Sequence, residues 1–107
     1  MNLAFITDKY FLNALKDLVK LEHRAGITKY GEYHSEYERY AAMKEETEET
    51  VEEAMNLTSD LEDMWMTLRA HRGKEEIEIC KRKLVETAYK VIAEVVQLIA
   101  VTDYKEE

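Results

Sequence analysis

Apolar residues recur at helical spacing along almost the whole chain. Phe11, Leu15, Leu18, Val19 and Leu21 make one stripe, which predicts a helix opening at Thr7-Asp8 and ending near Gly26. The stretch from Gly26 to His34 holds two glycines and reads as a loop. Ser35-x-x-Glu38 has the form of a capping box and predicts the start of a second helix. That helix is expected to weaken around Asn56 to Ser59, because Ser59-x-x-Glu62 repeats the same pattern. A shorter helix then carries Leu61, Met64, Trp65 and Leu68, and stops at His71-Arg72-Gly73. The last helix is predicted from Lys74 or Glu75 to about Asp103. Helices of these lengths joined by short connections imply an all-α fold, an antiparallel bundle of four to five helices in one domain spanning residues 1–107.

Polar positions are as informative as apolar ones. At about 100° per residue, Glu38, Glu45, Glu46, Glu49, Glu52 and Glu53 fall in one arc, with Tyr40, Met43, Thr47, Val51 and Ala54 roughly opposite. A solvated outer face with an apolar stripe behind it accounts for this without any chemistry. The capping box gives Glu38 a structural role of its own. Glu45-Glu46-x-x-Glu49 nonetheless sets three carboxylates on neighbouring positions of one helix.

Glu94 is harder to place. From Leu84 to Val101 apolar residues cover most of the helix circumference, so this helix is expected in the bundle centre or at a subunit interface. A carboxylate buried alone costs several kcal/mol unless it is protonated, paired or bound to metal. Lys90, one turn earlier, is one partner, in the less favourable Lys-before-Glu order. The other is the acidic helix, with a divalent cation between the carboxylates. Mg²⁺ suits such a site because it prefers oxygen ligands and keeps waters.

Composition narrows the picture further. The chain of 107 residues is 46% hydrophobic and 36% charged, with no proline and three glycines, as expected of a folded helical protein. A formal net charge of −8 argues against nonspecific binding to nucleic acid. The single Cys80 forms no internal disulfide, in keeping with a cytoplasmic location. Met1 to Lys9 carries Asp8 and no long apolar core, so no signal peptide is expected, and the apolar run near Glu94 and Gln97 is too interrupted to span a membrane. His34 reads as a loop residue, and His23 and His71 as residues near helix ends. Trp65 with Met64 and Leu68 reads as core or dimer interface, and the tyrosines around the first loop as packing residues with base stacking as the alternative.

At the acidic positions the chain resembles a known family. Glu45-Glu46-x-x-Glu49 followed by Glu94-x-x-Gln97 is similar to the signature of the MazG-like superfamily, the all-α nucleoside triphosphate pyrophosphohydrolases. Small phage and prophage-type members resemble it further, through Gly31-Glu32-Tyr33-His34-Ser35-Glu36-Tyr37-Glu38-Arg39-Tyr40-Ala41 and Ala93-Glu94-Val95-Val96-Gln97-Leu98-Ile99-Ala100. Leu61-x-x-Met64-Trp65 is similar to the intervening helix, and the likeness spans Gly26 to Asp103. The resemblance implies Mg²⁺-dependent, or Mn²⁺-dependent, hydrolysis of a (deoxy)nucleoside triphosphate to monophosphate and pyrophosphate by a cytoplasmic homodimer or higher oligomer, in the host cytoplasm if phage-encoded. It implies Glu46, Glu49 and Glu94 as metal ligands and Glu45 as a further ligand or the base orienting water. Lys90, with Lys29 and Arg39, is a candidate for touching phosphates. The chain departs from the family pattern at Gln97, where Asp is usual, and at Tyr37-Glu38-Arg39-Tyr40, where His-Glu-Gly-Tyr is usual. The competing reading is a non-catalytic acidic helical interaction protein, of phage or prophage origin, that binds a basic partner or mimics nucleic-acid charge.

Overall fold

The computed structural model describes residues 8–102, and among these the fold is three helices with no strand. They are α1 (Lys9–Tyr30), α2 (Glu36–Arg69) and α3 (Lys74–Val101). The all-α class expected from the periodicity is borne out, whereas four to five helices are not found. Thr7 and Asp103, predicted near the first and last helix ends, lie outside the described residues, as does most of the stretch read for a signal peptide.

Local signals explain the helix ends. The Asp8 carboxylate accepts the Phe11 N–H at 2.9 Å, capping α1. α1 does not stop at Gly26. It runs on to Tyr30, and Gly31 closes it at φ 78°, its N–H donating to the Ile27 carbonyl at 2.8 Å. Ser35 caps α2 by accepting the Glu38 N–H at 3.1 Å, while Glu38 reaches back to the His34 N–H at 3.1 Å. The box is thus real, but its return arm lands one residue early.

α2 continues unbroken through Asn56 to Ser59, so the second capping box is not used. Its end is a Schellman closure, with the Arg72 N–H on the Thr67 carbonyl and the His71 N–H on the Leu68 carbonyl. The left-handed residue there is His71, at φ 53°, and not Gly73 as the sequence suggests.

The described chain clusters into two compact units, one holding residues 46–95 and the other residues 8–45 with 96–102. In the second of these, Val19 and Ala100 are buried and the His23 imidazole donates to the Ala100 carbonyl at 3.2 Å. The Arg39 guanidinium donates to the Thr102 carbonyl at 2.7 Å, stacks over Tyr33 and approaches Glu36 at 3.6 Å. Arg39 is therefore engaged by its own chain.

The unit of residues 46–95 is an antiparallel hairpin of α2 on α3. Thr50, Glu53, Leu57, Asp60, Met64 and Thr67 on α2, and Ile77, Cys80, Leu84, Thr87, Val91 and Glu94 on α3, are, with Glu46 and Ala88, its less exposed positions. Steps of three and four residues link each series, which is the spacing of a coiled-coil seam. Asp60 and Thr87 are its only buried residues, and the Thr87 hydroxyl donates to the Asp60 carboxylate. Lys83 adds an ion pair to Asp60 at 3.6 Å. Seven residues away on each helix, the Thr67 hydroxyl meets the Cys80 thiol at 3.5 Å. Most of α3's apolar surface is left outside this seam: Val85, Tyr89 and Ile92 are exposed, so the helix is not the buried centre of the single chain.

Two stability measurements follow. Thr87→Val removes the hydroxyl donor from a buried carboxylate, and chemical denaturation is expected to show a loss of about 1–3 kcal/mol. His71→Gly relieves a left-handed backbone costing about 1–2 kcal/mol, against about 0.5–1 kcal/mol of added chain entropy. A net gain in denaturation midpoint is expected, and a loss would contradict the assigned closure.

Candidate metal centre

The carboxylate cluster is built by the seam. Stepping seven residues back along α2 goes from Thr67 to Asp60 to Glu53, and seven forward along α3 goes from Cys80 to Thr87 to Glu94. Glu94 is thereby carried to the acidic half of α2. Glu46, Glu49 and Glu94 each offer a carboxylate oxygen, and these oxygens all lie within 4.8 Å of one another. Glu46 and Glu94 are half-buried. Glu49 follows Glu46 by three positions, so both project from adjacent turns of α2 toward the same neighbour.

Electrostatics follow from that convergence. The Glu94 carboxyl is held above its ordinary range, first by burial, then by the charge of Glu49 beside it and a hydrogen bond shared with Glu49. The charge of Glu53 adds to the effect. Glu53 lies in the acidic arc of α2 but outside the Glu45-Glu46-x-x-Glu49 pattern, which does not assign it to the site. The missed signal is its seven-residue spacing from Asp60 and Thr67, which puts it on the inner seam.

The donor set fits a hard divalent cation. In an octahedral Mg²⁺ site, bonds of ~2.1 Å set neighbouring oxygens ~3 Å apart and opposite ones ~4.2 Å apart. The three oxygens, all within 4.8 Å of one another, would draw together by up to about 1–2 Å to reach that geometry. Three carboxylates would leave further positions for water or a phosphate oxygen. The larger Ca²⁺ radius fits the same spacing, so geometry alone does not select the ion.

The remaining sequence candidates are placed as follows. Glu45 lies on α2 next to Glu46 and is exposed. Gln97 lies on α3 one turn after Glu94. Lys90 lies on α3 one turn before Glu94 and is exposed. The carboxylates of Glu46, Glu49 and Glu94 are the predicted residues that converge. Lys29 sits over the Tyr30 ring at 5.0 Å.

Comparison with protein-family models, curated proteins and solved structures returned no match.

The raised pKa of Glu94 has a testable sign. Its ordinary value is 4.5 and its folded value is higher. The metal-free protein therefore keeps this contribution to stability below about 4.5 and loses it as pH rises through the folded value. Thermal melts without metal are expected to show that downward slope, and Glu94→Gln to flatten it. Added Mg²⁺ is expected to stabilise the wild-type protein increasingly with pH, because metal replaces the proton. An unchanged slope in Glu94→Gln would remove Glu94 from the cluster.

Proposed function

We propose that this chain is a Mg²⁺-dependent nucleoside triphosphate pyrophosphohydrolase, acting on a (deoxy)nucleoside triphosphate as a homo-oligomer in the cytoplasm. The observation that carries this reading is the convergence of Glu46, Glu49 and Glu94 within 4.8 Å. The MazG-like resemblance of the segments around them supplies the reaction. Mn²⁺ would satisfy the same oxygen donors.

In this reading the three glutamates hold the cation. A bound divalent cation would polarise phosphoryl oxygens and lower the pKa of a coordinated water. Glu45, exposed beside Glu46, would orient the attacking water and take its proton, or add a further ligand. Attack at the α-phosphorus breaks its bond to the bridging oxygen, and pyrophosphate leaves while the monophosphate keeps the base and sugar. Gln97, a neutral amide where the family has Asp, would support the site more weakly than a carboxylate. Lys90 would meet the phosphate charge from the next turn of α3.

The competing reading, an acidic helical interaction protein, draws on the exposed apolar residues Leu61 and Trp65, each 57% accessible, and on the net charge of −8. Among the described residues no helix is long and apolar enough to cross a membrane.

Pyrophosphate release from a panel of ribo- and deoxyribonucleoside triphosphates separates the two. Turnover is expected only with Mg²⁺ or Mn²⁺, and Glu46→Gln or Glu49→Gln is expected to abolish it. Glu45→Gln is expected to lower kcat by about 10²–10⁴-fold if Glu45 is the base. Gln97→Asp is expected to raise metal affinity. No turnover with any nucleotide, together with no thermal shift from either ion, would favour the interaction protein.

A further inference from the structure

The α2–α3 seam repeats its polar contacts every seven residues, and one repeat differs in chemistry. At the centre the Asp60 carboxylate accepts from the Thr87 hydroxyl and pairs with the Lys83 ammonium at 3.6 Å. Lys83 also approaches Asp63 at 4.0 Å. It lies at the edge of the seam, one turn before Thr87, and reaches across to α2 although its side chain is 63% exposed. Stepping seven residues back on α2 and seven forward on α3 turns Asp60, Asp63, Thr87 and Lys83 into Glu53, Asn56, Glu94 and Lys90. Each helix drifts by only about 20° over that step, so the edge that carries Lys83 also carries Lys90. Where Asp60 meets a hydroxyl donor, however, Glu53 faces a second acid, Glu94, on which it acts as a like charge. That repeat lacks a donor of its own.

We propose that Lys90 is the carboxylate cluster's own counter-ion: in the metal-free protein its ammonium folds across the seam edge onto Glu53, and a divalent cation at Glu46, Glu49 and Glu94 competes with it. Lys90 is exposed in this structure, so rotation about the bonds of its four-carbon stem makes the contact without moving the backbone. Glu53 has one methylene more than Asp60, which adds reach from the α2 side. Two other acids lie one turn from Lys90 on its own helix. Glu94 follows it, in the weaker order for an intrahelical pair, and Glu86 precedes it, in the stronger one. Glu86 is exposed while Glu53 is half-buried, so an ammonium on Glu53 offsets the less solvated charge. A tethered ammonium demands no coordination geometry, unlike a metal ion. It eases the repulsion between Glu53 and Glu94 without metal, and it lowers the affinity of the cluster for a divalent ion. The competition rests on the cation reading proposed above; the ion pair does not.

A double-mutant cycle on the full chain in EDTA reads the ion pair with no metal present. Lys90→Met is expected to lower the denaturation midpoint in the wild-type background and to leave it unchanged, or raise it, beside Glu53→Gln. Calorimetric titration with Mg²⁺ is expected to show Lys90→Met binding about three- to tenfold more tightly than wild type. That gain is expected to shrink beside Glu53→Gln, and Lys83→Met, one heptad away, is expected to leave Mg²⁺ affinity unchanged. A midpoint change on Lys90→Met that is the same with and without Glu53→Gln overturns the pair. So does a coupling found with Glu86→Gln and not with Glu53→Gln. An equal gain in Mg²⁺ affinity in both Glu53 backgrounds makes Lys90 a distant charge and overturns the competition. Coupling in EDTA with no Mg²⁺ bound by the wild-type chain upholds the pair and overturns the cation reading instead.

Discussion

In the middle of the α2–α3 hairpin the Thr87 hydroxyl donates to the Asp60 carboxylate, and these are the two best-buried side chains of that unit. Burying such a pair contributes little net stability, since both groups give up water to meet. Its effect is on pairing. A slide of one helix along the other leaves an anion in the seam without its donor, so the pairing of Asp60 with Thr87 excludes neighbouring alignments. Every other meeting on the hairpin then follows at seven-residue steps, Thr67 on Cys80 in one direction and Glu53 toward Glu94 in the other.

The carboxylate cluster is therefore a product of the helix pairing rather than of any loop. Glu46 and Glu49 are brought together by helical spacing alone, while Glu94 arrives from the other helix. Burial and convergence together have a cost, visible in the raised pKa of Glu94, and that cost is what an oxygen-loving cation would relieve.

Much of this was legible in the residues, and the failures have physical causes. Asp8, and Ser35 with Glu38, announced helix starts because capping is a local interaction confined to one turn. Gly26 did not end α1, since a glycine only lowers helix propensity and nothing there demands a positive φ, whereas Gly31 adopts one. Ser59-x-x-Glu62 failed as a start signal because Leu57, Asp60 and Met64 continue the seam across it, and tertiary pairing outweighs a local cap. That misreading bears on the site as well. The meeting of Glu94 with Glu46 and Glu49 depends on α2 staying helical between Glu53 and Asp60, which no motif encodes.

The unbroken run of α2 from the buried aspartate to the acidic half makes the cluster sensitive to phase. One residue inserted between Glu53 and Asp60 would swing Glu46 and Glu49 by about 100° around the rod and away from α3. Two such insertions would turn them almost to the far side, whereas a whole added heptad would restore their orientation and displace them by about 10 Å. Lineages of this chain can thus lengthen its connecting turn with little consequence, but tolerate change within this part of α2 only as substitution or in whole helical periods.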